Sequence, residues 1–194
     1  MAPVGGNDME VGVLFADMRG FTAWCESQSP EVVAKTLNQF YATAGEALTA
    51  RDGLVDKLVG DEIMGLFLTV FPSLGIRTCH VMVEAALEIL TRLDRATGSQ
   101  LPVGMGLGFG LARVGNVGAG EVKDFTAVGD VVNTASRLQA SASPGENLLS
   151  AAVYEQVADQ YPNASRRTLV VKGKSAEVSA YSLRVGPSTG VAAL

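Results

Sequence analysis

Apolar positions recur along the chain with two periods, and the switches between them mark out its elements. Val11, Val13, Leu14 and Phe15 form a short apolar run that predicts a strand over Glu10 to Ala16, ended by Asp17. A helical stretch is predicted from Phe21. Ser29-Pro30-Glu31 then opens a second helix with proline at its first position. Val33, Leu37, Phe40, Tyr41, Ala44 and Leu48 keep helical spacing and give it a buried face, until Asp52-Gly53 stops it. Gly53 to Phe71 predicts a hairpin. Leu54, Val55, Leu58 and Val59 form one arm and Ile63 to Leu68 the other, with Gly60-Asp61 at the bend, where glycine accepts a positive φ. A third helix is predicted over Leu74 to Ala96, with Val81, Ala85, Ile89, Leu90 and Leu93 inward.

The stretch Val103 to Val114 alternates in an unusual way. Val103, Met105, Leu107, Phe109 and Leu111 share one face, while Gly104, Gly106, Gly108 and Gly110 share the other. Interior glycines weaken a strand, so a bare face marks close approach by another backbone or by a ligand. Gly115, Gly118 and Gly120 then predict a loose loop, followed by a short strand over Phe125 to Val128. Asp130 to Ala140 reads as a helix ended near Ser143-Pro144-Gly145. Asn147 to Leu149 and Ala151 to Ala158 read as a short strand and a helix, and Thr168 to Val171 with Val178 to Leu183 as a last hairpin. Strands and helices interleave, but hairpins are frequent. That favours an α+β fold with a mixed or antiparallel sheet over a doubly wound parallel one.

Composition narrows the function classes. A chain of 194 residues, 47% hydrophobic and 18% charged, suits one packed domain. Its net charge of -5 argues against a nucleic-acid or anionic-membrane binder, yet leaves room for a phosphate ligand met by a few placed cations or a metal. Glycine, at 22 residues, exceeds the usual ~7%, and the bare strand face accounts for part of the excess. Cys25 and Cys79 are too few for a disulfide scaffold and read as reduced thiols. Met1 to Asp8 lacks the pattern of a signal peptide, and no run of 18 apolar residues occurs, so the expected location is cytoplasmic with no membrane partner.

Several residues are placed where they could carry chemistry. Asp17 ends one apolar strand and Asp61 sits at the tip of an apolar hairpin. Carboxylates at adjacent strand ends can converge on a divalent cation, although each could equally do no more than cap a turn. Lys57 lies among Leu54, Val55, Leu58 and Val59 and must find an anion or snorkel outward. Asn133 and Arg137 are four apart on one helix face, a pair suited to ribose and phosphate oxygens or to a solvated surface. Lys172-Gly173-Lys174 is a basic turn, either an exposed hairpin or a contact for terminal phosphates. The glycine series is not a dinucleotide loop, since it lies inside a strand and opens no helix. His80, the only histidine, falls in mid-helix and reads as structural.

Taken in order, these segments resemble the catalytic domain of the class III nucleotidyl cyclases. The matching segments are Phe15-Ala16-Asp17-Met18-Arg19-Gly20-Phe21, Lys57-Leu58-Val59-Gly60-Asp61, Val128-Gly129-Asp130-Val131-Val132-Asn133-Thr134-Ala135-Ser136-Arg137-Leu138 and Val171-Lys172-Gly173-Lys174. They span nearly the whole chain. The resemblance implies a ferredoxin-like palm, a mostly antiparallel sheet covered by helices. It implies a catalytic domain over 10–185, which leaves 1–9 as an N-terminal extension, and Gly186 to Leu194 reads from its own sequence as a disordered tail. It also implies a head-to-tail homodimer with two sites at the interface. Asp17 and Asp61 of one chain would hold two Mg²⁺ or Mn²⁺ ions, with the Met18 carbonyl a further ligand. From the partner, Lys57 and Thr126 would read the base, Asn133 would position the ribose, Arg137 would stabilise charge on the α-phosphate and Lys172 would bind the terminal phosphates.

The implied substrate is ATP, converted to cyclic AMP and pyrophosphate. Lys57 can only donate, so it matches the ring acceptor of adenine and mismatches the ring N–H of guanine. At the second reading position, strict adenine readers of the family carry Asp, whereas this chain has Thr126, as in a bacterial branch of the family. A threonine hydroxyl can donate or accept and discriminates less. Asp124, two residues away, is an additional candidate at that position. The alternatives are a guanylate or dual-specificity cyclase, and a degenerate domain that binds nucleotide or a partner without catalysis. A diguanylate cyclase is disfavoured because the hairpin reads Gly60-Asp61-Glu62-Ile63 and lacks that family's loop.

Overall fold

The computed structural model of the chain describes residues 6–97, 101–119, 122–169 and 178–184. Among the described residues, eight strands form a single sheet, β1 (Asn7–Met18), β2 (Leu54–Val59), β3 (Glu62–Leu68), β4 (Val103–Ala119), β5 (Val122–Val128), β6 (Glu146–Ser150), β7 (Ser165–Leu169) and β8 (Val178–Arg184). Their order is β2-β3-β1-β4-β6-β8-β7, with β5 paired to the far half of β4. Every pairing is antiparallel except β4 with β6. Among the described residues, five α-helices cover it, α1 (Phe21–Cys25), α2 (Pro30–Thr49), α3 (Gly75–Thr97), α4 (Asp130–Ser141) and α5 (Ala151–Val157). The expected α+β class, with a mostly antiparallel sheet covered by helices, is the one observed. No helix among the described residues is long and apolar enough to cross a membrane.

Strand alternation divides the core between the two faces of the sheet. Leu14, Ala16 and Met18 of β1, Ile63 and Phe67 of β3 and Met105 and Leu107 of β4 pack with α2, α3 and α5. Val11, Val13 and Phe15 of β1 and Met64 and Leu66 of β3 pack on the opposite face against Val131 and Ala135 of α4. The helix starts follow local chemistry. Ser29 caps α2 by accepting a hydrogen bond from the Val32 N–H, with Pro30 behind it, and Ser150 caps α5 in the same way through Val153.

The glycine face of β4 is covered by the backbone of α4. A Cβ on Gly106 would lie 2.1 Å from the Ala135 carbonyl oxygen and 2.2 Å from the Gln139 nitrogen, and one on Gly108 would lie 3.0 Å from the Val131 carbonyl. The close approach expected of a bare strand face is therefore made by a helix, and it is this seat that sets the height of α4 above the sheet.

The main differences from the sequence reading fall in three places. β1 is longer at both ends than Glu10 to Ala16. The loop expected around Gly115 and Gly118 is strand, because β4 continues to Ala119 and pairs with β5 in a long two-stranded arm. The last hairpin forms between β7 and β8, with β7 beginning at Ser165. Residues 170–177 and 186–194, which hold the basic turn and the expected tail, lie outside the described residues. Cys25 and Cys79 are free thiols, and burial, with the charge of Glu10 adding to it, pushes Cys79 up to about 12.

Candidate functional site

Two strand ends meet at one corner of the sheet. Asp17, near the end of β1, lies opposite Glu62 at the start of β3, and the Met18 N–H donates to the carbonyl of Asp61 at 3.2 Å. The tip of the β2–β3 hairpin is thus tied to the end of β1. Gly60 takes the turn with φ 59°, and the hydroxyl of Tyr41, from α2, donates to its carbonyl.

The corner concentrates negative charge. Burial and the neighbouring charge of Asp61 push the Asp17 carboxyl above its usual range, against the opposing pull of Arg19. Glu62 is raised by burial and by both aspartates, and Tyr41 by burial and Asp61. Arg19 answers part of this charge, its Nη1 lying 2.9 Å from an Asp17 oxygen. The same guanidinium donates to the Gln139 carbonyl of α4 and lies over Gly104, where a Cβ would come within 2.4 Å of its Nε. That Nε is buried without a hydrogen-bond partner. Hard oxygens on adjoining strand ends, with Asp17 raised by burial and by the charge of Asp61, are a donor set that fits Mg²⁺ or Mn²⁺, which take one or two protein carboxylates and complete their shells with water or phosphate.

A second cluster joins β2 to β5, which are not neighbours in the sheet. A one-residue bulge at Asp56 lets Val55 oppose Gly65 while Lys57 opposes Met64. Lys57 thereby shares a face with Met64, Glu62 and Asp17. Its ammonium is hydrogen bonded to Asp124 of β5 and lies 3.4 Å from Asp56. The Asp124 hydrogen bond is the largest of the influences that hold Lys57 above its ordinary range. The Thr126 hydroxyl donates to Asp56 Oδ2 at 2.8 Å. The Asp56 side chain is 1% exposed, and its Oδ1 has no hydrogen-bond partner.

Asn133 and Arg137 both lie on α4, Asn133 exposed and Arg137 half-buried. Neither side chain forms a hydrogen bond or ion pair with another described residue. The predicted residues therefore fall into groups. Asp17, Met18 and Asp61 come together, Lys57, Asp124 and Thr126 come together, and Asn133 and Arg137 form no hydrogen bond or ion pair with either group among the described residues. Lys172 lies outside the described residues.

Three participants escaped the sequence reading. Asp56 was hidden because strict alternation gives no sign of a bulge. Arg19 lay two residues beyond Asp17 with no pattern to mark it as that carboxylate's ion partner. Tyr41 read only as part of the buried face of α2, although its hydroxyl emerges at the hairpin tip.

Residues 6–185 match the family model described as the adenylate and guanylate cyclase catalytic domain. The chain is 32% identical over 183 residues to adenylate cyclase 1 of Rhizobium meliloti, covering 90% of this chain and 27% of that protein. It is 29% identical over 201 residues to an adenylate cyclase of Anabaena cylindrica, covering 95% of this chain and 40% of that one. It thus spans less than half the length of either relative. Among solved structures, the adenylyl cyclase CyaB from P. aeruginosa superposes with a TM-score of 0.80 at 27% identity, covering 94% of this chain and 97% of that one. The guanylyl cyclase Cya2 superposes at 0.78 with 26% identity, covering 95% and 97%.

Proposed function

The chain belongs to the adenylate and guanylate cyclase catalytic domain family, and from that premise we propose that it is an adenylate cyclase, converting ATP to cyclic AMP and pyrophosphate. The observation that carries the choice of ATP is the state of Lys57. Its ammonium is held charged against Asp124 and Asp56, so it presents only hydrogens. The ring nitrogen of adenine accepts one of them, whereas the ring N–H of guanine is itself a donor and cannot accept. Thr126 and Asp124 serve as acceptors for the exocyclic amine.

In this reading Asp17 and Asp61, with the Met18 carbonyl, hold two Mg²⁺ or Mn²⁺ ions. When bound, the ions lower the pKa of the ribose 3′-hydroxyl and offset phosphate charge. Asn133 holds the ribose so that the 3′-oxygen faces the α-phosphorus, a gain in positioning. The new bond joins O3′ to the α-phosphorus, the α–β anhydride bond breaks, and the hydroxyl proton leaves to solvent. Arg137 donates to the α-phosphate oxygens as charge gathers there. Lys172 contacts the terminal phosphates that depart as pyrophosphate.

A head-to-tail homodimer supplies the two halves of each site. Asn133 and Arg137 form no hydrogen bond or ion pair with the acids of their own chain among the described residues, which suits a role in the partner's site. Leu58 and Val59 on β2 and Val117 and Phe125 on the β4–β5 arm are exposed apolar side chains suited to an interface.

A guanylate or dual-specificity cyclase is favoured by one observation, the almost equal likeness to CyaB and to Cya2. Product identification from ATP and from GTP, with Mg²⁺ and with Mn²⁺ at several protein concentrations, separates the readings. Cyclic AMP as the main product, with specific activity rising with concentration, is expected. Cyclic GMP as the main product overturns the choice of ATP, and no cyclic nucleotide from either overturns the cyclase.

A further inference from the structure

The carboxylate of Asp56 is the best-buried acid around the base-reading residues, and beyond facing the Lys57 ammonium it has no role in the steps above. Its Oδ2 takes the hydrogen of the Thr126 hydroxyl and faces the Lys57 ammonium, 3.4 Å away. A bulge in β2, which adds a residue without changing the pairing on either side, is what places it there. Burying a carboxylate with one oxygen unpartnered is costly, so a structural tether between β2 and β5 would be better built from a neutral pair.

The hydrogen bond has a direction that matters. An ionised carboxylate only accepts, so the hydroxyl of Thr126 must donate to it. A hydroxyl has one hydrogen. With that hydrogen committed to Asp56, Thr126 faces any other group with lone pairs alone. Free threonine would suit the exocyclic amine of adenine and the exocyclic oxygen of guanine equally well. Threonine held by Asp56 suits the amine and repels the oxygen.

We propose that Asp56 is a specificity-determining positioning residue, which turns Thr126 into an obligate hydrogen-bond acceptor and so gives the site a second element of preference for adenine over guanine. The proposal rests on Lys57 and Thr126 facing the base.

The test is the ratio of kcat/KM for ATP to that for GTP in the full chain. Asp56→Ala frees the hydroxyl to donate, and the ratio is expected to fall about fivefold to tenfold, chiefly through a gain with GTP. Asp56→Asn keeps a carbonyl that can accept the same hydrogen and is expected to hold the ratio within about twofold. In a Thr126→Val background, Asp56→Ala is expected to lower the ratio no further, because the group it acts through is gone. A parallel loss with both nucleotides and an unchanged ratio overturns the proposal. So does an equal fall in the Thr126→Val background. If Asp56→Ala does not fold, Thr126→Val alone decides, since an unchanged ratio there leaves Asp56 nothing to act through. Lys57→Glu separates this from the reading beneath it. If Lys57→Glu leaves the ratio unmoved, the assignment of the base-reading face fails. If it moves the ratio and Asp56→Ala does not, only the role of Asp56 fails.

Discussion

Gly106 of β4 and Ala135 of α4 are so close that a single added carbon would lie 2.1 Å from the Ala135 carbonyl oxygen. The helix that carries Asn133 and Arg137 is therefore seated on glycine. Gly106→Ala is expected to lift α4 and destabilise the fold by about 2 kcal/mol or more, with activity falling as Arg137 moves. Gly110→Ala, whose Cβ would meet Val131 at an unstrained 3.7 Å, is the control and is expected to stay within about 0.5 kcal/mol of the parent. Denaturant midpoints for the two variants check the contrast, and equal midpoints would refute it.

Removing one acid from the strand-end corner is expected to separate stability from activity. Asp17→Asn and Asp61→Asn relieve like-charge repulsion, so metal-free melting temperature should hold or rise. Turnover is expected to drop at least ~100-fold, and the rise in melting temperature on adding Mn²⁺ should vanish. Retained turnover in either variant would rule out these residues as the metal ligands.

Mixing chains that are defective in opposite halves tests the shared site. Asp17→Asn and Arg137→Ala are each expected to be inactive alone. Their equimolar mixture should recover up to about a quarter of parental activity, since about half the dimers are mixed and each has one intact site. Absence of recovery despite proven mixed dimers would place Asn133 and Arg137 in the site of their own chain.

Glu146 gives a pH dependence of known sign. Burial works to raise its carboxyl, but hydrogen bonds from the Ser182 hydroxyl, the Ser143 N–H and Arg167 outweigh burial and hold it down at about 2. A depressed folded-state pKa contributes stability that is present in full above the unfolded value of 4.5 and is lost as pH falls toward 2. The shift corresponds to about 3 kcal/mol. Glu146→Gln is expected to lower urea stability at pH 7 by an amount of that order, with the gap to the parent closing between roughly pH 4.5 and 2. A gap independent of pH would show that the loss comes from packing and not from charge.

Much of this architecture was legible in the sequence because single residues punctuate it. Asp17 after an apolar run, Gly60-Asp61 between two apolar arms and the four-residue step from Asn133 to Arg137 each carry a local signal that packing preserves. The alternating glycines of β4 announced a close approach, though not which element makes it. The arm formed by β4 and β5 was misread because Gly115 and Gly118 look like loop residues, and what makes them strand is cross-strand pairing that composition does not record. Asp56 meets Thr126 across distant segments, and Arg19, though two residues from Asp17, is set by its contact with Gln139 of α4, and no spacing along the chain encodes either.

The extra residue in β2 has one more consequence. Leu54 and Val55 on one side of it, and Lys57 to Val59 on the other, keep the partners they would have in an uninterrupted ladder. Asp56 is thus an insertion that the sheet absorbs whole. A lineage could gain or lose this acid by a single codon insertion or deletion, with Lys57 still opposite Met64 and every neighbouring rung intact. If Asp56 fixes the donor of Thr126 as proposed, removing it would free that hydroxyl while every paired position of β2 and β3 is retained.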